Sequence, residues 1–142
     1  MLTGLLHTHS TLRWIILALM IAAGVKSLIG WLSKSSYETI DDKLSMYTLI
    51  ATHTQLLIGF GLYFISLMEE GGVVDFSKMS NPINRYFTVE HAFMMILVAV
   101  LITIGRSKSK KKEEPAEKHK TVALFYLLSL AIVVVTVFVM MP

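Results

Sequence analysis

The sequence predicts an all-α integral membrane protein, an up-down four-helix bundle, on three observations. Hydrophobic residues make up 54% of the chain, above the about 45–50% of soluble domains, and the mean hydropathy is +0.64. Charged residues are scarce within four long apolar stretches and crowded between them, as expected of membrane spans. Four spans of about 20 residues each use most of the chain. We therefore expect one four-span domain over residues 1–142 and no separate soluble domain.

The first two spans are predicted at about residues 12–32 and 44–68. Span one has a tryptophan near each end, where indole rings favour the membrane–water interface. Asp41 and Asp42 precede span two, and the positive end of a helix dipole favours carboxylates there. Gly59 and Gly61 in span two allow close approach of another helix or of a flat ligand.

Spans three and four are predicted at about residues 82–106 and 122–141. Asn81 followed by Pro82 is a typical helix cap with proline at the first helical position. Span four carries no charge and is expected to complete the bundle with one side facing lipid.

Loop charges predict the orientation. The segment Arg106–Lys120 carries seven Lys or Arg against three Glu, and short basic loops stay in the cytoplasm. We expect this loop inside, both termini outside, and His119 exposed within the loop. Topology and the lipid bilayer account for the basic segment, so nucleic acid is not expected as a partner.

Histidines within the spans are the candidate functional residues, because ionisable groups are costly in a membrane. A rise of about 1.5 Å per residue puts His9, His91 and His53 roughly 25, 22 and 15 Å from the predicted cytoplasmic edge. His9 and His91 thus share a level, and His53 lies about 7 Å deeper. Spans one and three are diagonal in an up-down bundle, so His9 and His91 can face each other.

Two imidazoles on facing helices can bind the iron of a haem from both sides, inside a dry slot of the bundle. The pair His9–His91 fits the depths best, and pairs of His53 with either of them remain open if the helices shift. The alternative for each histidine is a hydrogen bond to a neighbouring helix without any cofactor.

Other polar residues surround these histidines. Arg13 lies four residues after His9 on the same helix face, where it can pair with a haem propionate or with Glu90. Gln55 is expected to hydrogen bond between helices. His7 points about 200° away from His9 on a helix and is a poorer ligand candidate.

Cysteine is absent from the sequence. Disulfides, thiolate ligands, iron–sulfur clusters and covalent haem attachment are therefore excluded. Any haem would be held noncovalently, as a haem b.

Several short motifs, taken together, resemble a family of small bacterial four-helix membrane proteins catalogued as "cytochrome B". The motifs are Leu6-His7-Thr8-His9-Ser10 with Arg13-Trp14, His53-Thr54-Gln55 with Gly61-Leu62-Tyr63-Phe64, and Glu90-His91 with Met94-Met95. The resemblance spans nearly the whole chain. It implies a b-type haem in a bundle of the bacterial inner membrane, with His9, His53 and His91 as the positions to examine. Since the third histidine has no partner at its own depth, we expect no more than one haem.

Three functions follow as hypotheses. The first is a membrane electron carrier that takes electrons from quinol or a partner subunit and needs no catalytic residue. The second is a cofactor-free accessory subunit of a larger respiratory or transport complex. The third is a metal-handling protein that uses His7, His9, Glu90 and His91, although neither an inverted repeat nor a broken helix pair is evident.

Overall fold

The computed structural model describes residues 2–140, and over these the chain is all-α without strands. Four long helices follow one another: α1 (Leu2–Ser33), α2 (Thr39–Met68), α3 (Pro82–Lys111) and α4 (Pro115–Met140). Each is long and apolar enough to cross a membrane. The predicted fold class is confirmed to this extent, with four apolar helices at the four expected places.

Several helix ends differ from the prediction. Helix α1 already begins at Leu2, so the histidines near the N-terminus lie on it. The predicted loop Arg106–Lys120 shrinks to residues 112–114, because α3 continues to Lys111 and α4 starts at Pro115. Lysines near the end of α3 favour the negative pole of its dipole, and proline suits a first helical position. The predicted end of span four at residue 141 lies outside the described residues.

The two helix starts for which the sequence predicts a polar cap, those of α2 and α3, both have one. Asn81 accepts a hydrogen bond from the Ile83 amide at 3.0 Å, directly before Pro82. In α2 the cap residue is Glu38, one turn earlier than expected, and Asp41 accepts from the Glu38 amide at 2.9 Å. The acidic pair therefore lies within the first turn of α2, where it stabilises that helix end.

The four helices pack as a ring in chain order. Helix α1 contacts α2 and α4, and α3 contacts the same two helices, so α1 and α3 lie diagonally as predicted. The centre of the core is fully buried and consists of Met20, Ile102, Val122 and Tyr126. Helix α2 is the least buried of the four, and α4, which contacts both α1 and α3, completes the bundle.

One end of the bundle, here called the charged end, holds two ion pairs. Lys26 of α1 donates to Asp41, whose side chain is almost fully buried. Arg106 of α3 donates to the Asp42 carboxylate at 3.2 Å and to the Asp42 carbonyl at 3.0 Å, and it also donates to Ser45. Lys26 and Arg106 thus both tie their helices to the start of α2.

The prediction of an exposed His119 is wrong. His119 lies in α4 and is 1% exposed. Its Nε2 donates to the Ser36 carbonyl at 3.0 Å, and its ring lies 5.0 Å from that of Tyr37. A methyl group at Gly30 of α1 would be 2.6 Å from the ring. The basic segment is a helix instead of a loop, so one of its faces turns inward, and glycine makes room for the imidazole.

Candidate functional site

A cavity of about 540 Å³ lies between the four helices at the end opposite the charged end, here called the cavity end. Its lining is mainly apolar and comes from all four helices and the loop after α2. The few polar side chains on its wall include His9, Arg13, Gln55 and His91. Cofactor and small-molecule sites have this character and volumes of roughly 300–1,000 Å³.

His9 and His91 face each other at this cavity. Their ring centroids are 6.4 Å apart and their planes cross at 71°. With a metal–imidazole nitrogen distance of about 2 Å on each side, the centroids of two imidazoles on opposite sides of one metal ion lie roughly 6 Å apart. The two rings therefore stand at the separation that a shared metal ion requires. This is the pair that the helix rise placed at one level.

A local change in helix type positions His91. Residues Tyr86–Glu90 form a π-helical turn, and the His91 amide donates to the Tyr86 carbonyl, five residues back. Such π-bulges are frequent at functional sites. On a regular α-helix, residues five apart point about 140° away from each other. The wider turn brings the rings of Tyr86 and His91 to 5.5 Å between centroids, and the Tyr86 hydroxyl to 3.3 Å from His91 Nδ1.

The wall around His9 carries unpaired polar atoms. His9 Nδ1, Arg13 Nε and Gln55 Oε1 are buried and have no hydrogen-bond partner among the described residues. Gln55 does donate from Nε2 to the His9 carbonyl at 2.8 Å, so it bonds between helices as predicted. Buried polar groups are nearly always paired. Three such atoms on residues of one wall therefore suit a ligand with polar groups on that side.

Arg13 makes no salt bridge with Glu90. Glu90 pairs with Arg85 at 3.3 Å, on its own helix. The Arg13 guanidinium lies 5.0 Å from the centre of the Trp14 ring, and the residue lines the cavity. Of the two roles left open for Arg13, the bridge to Glu90 is absent, and its positive charge stays at the cavity wall.

The structure leaves two histidines outside the cavity. His53 is exposed on the outer side of α2, where its Nε2 lies 2.8 Å from the Thr103 hydroxyl of α3. His7 is exposed on α1, in a shallow groove against Thr54 and Ile58 of α2. Within residues 2–140, no group of three or more His, Cys, Asp or Glu side chains could hold a metal ion.

The loop after α2 lines one end of the cavity. Val74, in this loop, is buried, and its amide donates to the Ser66 hydroxyl at 3.2 Å. The next amide, of Asp75, donates to the Thr88 hydroxyl at 2.9 Å. Tyr63 donates to the Thr88 carbonyl, also at 2.9 Å. The loop is thereby attached to both α2 and α3, and it covers the end of the cavity with an apolar side chain.

The glycine pair of α2 does not serve close helix packing. A methyl group at Gly59 would meet only His9, at 3.7 Å, and one at Gly61 would have nothing within 4 Å. Gly59 lines the cavity. Its missing side chain thus leaves room on the cavity wall beside His9.

No protein-family model, no curated protein and no solved structure matches this chain. The fold and the site therefore define its class by themselves. It is a chain of four helices long and apolar enough to cross a membrane, with two imidazoles opposed at an apolar cavity near one end.

Proposed function

We propose that this protein is an integral membrane, b-type cytochrome-like electron-transfer protein that binds one haem between His9 and His91. The observation that supports this most strongly is the 6.4 Å separation of the two imidazoles at an apolar cavity. The resemblance of the His9, His53 and Glu90-His91 motifs to the small bacterial cytochrome B family points to the same cofactor.

The number of ligands favours haem over a free metal ion. Zinc sites use three or four protein ligands, and the described residues offer no such group. An iron porphyrin brings four ring nitrogens of its own and needs only axial ligands from the protein. Two opposed histidines fit that requirement, so the metal-handling hypothesis has less support.

The polar wall fits the edge of the same cofactor. Haem carries two propionates, and Arg13 offers a guanidinium at the cavity with its Nε unpaired. Charge-assisted hydrogen bonds to an anionic group are stronger than neutral ones. Gln55 lies beside it and holds the His9 backbone. These two residues would orient the cofactor, and the apolar lining would keep water away from it.

A bound haem would supply one-electron redox chemistry. With His9 and His91 both holding the iron, the site would transfer electrons and would carry out no bond chemistry. No residue is assigned a catalytic role. The electron donor would be a quinol in the bilayer or a partner subunit.

The membrane setting belongs to the same proposal. The four helices have the length and composition of spans, and the lysines at the end of α3 and the start of α4 favour a cytoplasmic position for the charged end. Both termini would then lie outside the inner membrane of a bacterium. Single cysteines near residues 4 and 113, introduced into this cysteine-free chain, test this. Reaction of only the first with an impermeant thiol reagent in whole cells is expected, and the reverse labelling would refute the orientation.

A reduced-minus-oxidised visible spectrum of protein purified after haem-sufficient expression tests the cofactor. The wild type should show a sharp α-band, and His9→Ala and His91→Ala should each lose it. His53→Ala is the matched control, because His53 lies outside the cavity, and it should keep the band. A wild type without haem absorbance would refute the proposal, and loss only in His53→Ala would refute the ligand pair.

Larger side chains at Gly59 and Gly61 offer a second test, because only the first would reduce the free volume of the cavity. Gly59→Leu places a side chain at the cavity wall and should lower haem occupancy. Gly61→Leu adds the same atoms two residues away, where a first carbon meets nothing within 4 Å, and should leave occupancy unchanged. Haem per protein from the pyridine haemochrome spectrum measures both. Equal occupancy in the two variants would place the cofactor elsewhere.

The alternative of an accessory subunit is favoured by His53. The Thr103 hydroxyl donates its single proton to the Ala99 carbonyl at 2.7 Å, so His53 Nε2 is the donor to Thr103 and Nδ1 is left as an acceptor. Ionisable groups at mid-membrane usually face protein or water, but His53 is exposed on the least buried helix. A partner subunit that covers this face would resolve the mismatch.

Native-membrane purification in a mild detergent tests the subunit hypothesis. A larger assembly is expected for the wild type and should dissociate in His53→Leu, while His7→Leu, also exposed but near the helix end, should leave it intact. A species of single-chain mass in all three would refute it. A colourless chain in a stable assembly would favour the cofactor-free form of this hypothesis.

A further inference from the structure

A short hydrogen-bond chain links the His91 ring to α4 through Tyr86. The Tyr86 hydroxyl donates to the Thr136 carbonyl of α4 at 2.7 Å, and the bond is buried. The same hydroxyl lies 3.3 Å from His91 Nδ1. Tyr86 itself is 1% exposed. The Thr136 carbonyl, the Tyr86 hydroxyl and the His91 imidazole thus form one hydrogen-bond chain that begins on α4.

Proton counting sets the direction of this chain. A carbonyl oxygen only accepts, and a tyrosine has one hydroxyl proton. Since that proton lies on the short bond to Thr136, the Tyr86 oxygen can only accept from His91. His91 Nδ1 must therefore carry a proton, and in the neutral ring the lone pair is on Nε2. In metal sites, a hydrogen bond on one ring nitrogen fixes which nitrogen can coordinate.

We propose that Tyr86 is a positioning residue that holds His91 as the Nδ1–H tautomer and presents its Nε2 lone pair to the ligand of the cavity. As far as it concerns a ligand, the inference rests on the proposed function. Two π-helical turns support it geometrically. One, Tyr86–Glu90, turns Tyr86 toward His91, and the other, Val135–Met140, contains the Thr136 carbonyl that takes the tyrosine proton.

Aromatic packing prevents Tyr86 from turning away. Its ring lies edge-on to Phe87, with 4.9 Å between centroids, and Phe87 also lies 6.0 Å from His91. A hydrogen bond of 3.3 Å is longer than the usual 2.7–3.2 Å. Its role is thus to select the tautomer and the ring direction, with little contribution to binding energy of its own.

The first readout is the tautomer of His91 in haem-free protein. In the wild type, ¹⁵N NMR of labelled histidine should show Nδ1 protonated and Nε2 bare for His91. Tyr86→Phe keeps the ring but removes the acceptor, so the population with a protonated Nε2 should rise. Tyr126→Phe is the matched control, since Tyr126 is also buried and donates to a carbonyl of another helix, that of Ser45, but does not line the cavity. A wild-type His91 with its proton on Nε2 would overturn the inference.

The second readout is haem affinity by titration of the same three apoproteins. Loss of an outer-shell partner typically weakens metal binding about 10–100-fold, and we expect this for Tyr86→Phe and no change for Tyr126→Phe. A merely structural role would lower thermal stability without changing the tautomer. If the tautomer changes and affinity does not, the positioning role is refuted. If the wild type binds no haem, the proposed function fails, while the tautomer result still decides the hydrogen-bond chain.

Discussion

Replacing Gly30 by alanine tests the tight contact between α1 and α4. A methyl group there would lie 2.6 Å from Cε1, 2.7 Å from Nε2 and 2.8 Å from Nδ1 of His119. Ordinary contacts between heavy atoms are about 3.5–4.0 Å, so the ring must move by roughly 1 Å. His119 Nε2 donates to the Ser36 carbonyl at 3.0 Å, and a shift of that size takes the bond to the limit of hydrogen bonding.

Three contributions set the expected change in the free energy of unfolding of Gly30→Ala. Overpacking a filled site costs about 1–3 kcal/mol, and the weakened hydrogen bond costs about 0.5–1.5 kcal/mol. Alanine regains about 0.5–1 kcal/mol over glycine as a helix former. We therefore expect Gly30→Ala to lower the free energy of unfolding by about 1–3 kcal/mol.

The assay is unfolding in detergent micelles, followed by far-UV circular dichroism, with Gly61→Ala as control. A methyl group at Gly61 meets nothing within 4 Å, so this variant should gain about 0.5–1 kcal/mol. His119→Ala should relieve the clash, which makes the double variant with Gly30→Ala more stable than the sum of the single effects by about 1 kcal/mol or more. Equal stability of Gly30→Ala and Gly61→Ala would refute the packing of His119 against α1.

Two further predictions concern hydrogen bonds of buried and exposed groups. Tyr126→Phe removes a buried hydroxyl that donates to the Ser45 carbonyl at 2.7 Å, and it should cost about 0.5–1.5 kcal/mol in the same assay, whereas Tyr47→Phe, at a half-exposed ring, should cost almost nothing. The Ser77 hydroxyl and amide both donate to Asp75 and hold the pKa of that carboxyl below its usual value. A depressed folded pKa means that this contribution is fully present above the unfolded value of about 3.9 and is lost as the pH falls through the folded value. A ¹³C titration of the Asp75 carboxyl should show a higher pKa in Ser77→Ala than in the wild type, although the remaining Ser77 amide keeps it below the usual value. The same normal pKa in both proteins would contradict this cap.

Local patterns in the sequence determine much of the cavity end. Hydropathy places the four helices, because a span needs about 20 apolar residues wherever it packs. The Asn81-Pro82 pair marks the start of α3, since cap and proline act on neighbouring amides. A fixed rise per residue puts His9 and His91 at one level. These inferences need no knowledge of which helix face meets which neighbour.

Rotation of each helix about its axis is decided by tertiary packing. The helix rise gives the depth of His53 but not its direction, and the structure turns it outward onto Thr103. His119 is buried because α4 begins before it and Gly30 of α1 admits its ring. Glu90 meets Arg85 instead of Arg13. In each case the side-chain partner depends on how neighbouring helices are rotated, which no periodicity within one helix specifies.

Tyr86, the hydrogen-bond partner of His91, shows most clearly what a sequence pattern cannot predict. At 3.6 residues per turn, Tyr86 and His91 would lie on different faces of an α-helix, so no α-helical pattern connects them. The structure joins them through a π-helical turn and passes the tyrosine proton to a carbonyl 50 residues further along the chain. Sequence patterns alone predict where the four helices lie in the chain and that His9 and His91 share one level. The hydrogen-bond chain from His91 through Tyr86 exists only in the packed bundle, because it ends on a backbone oxygen of another helix.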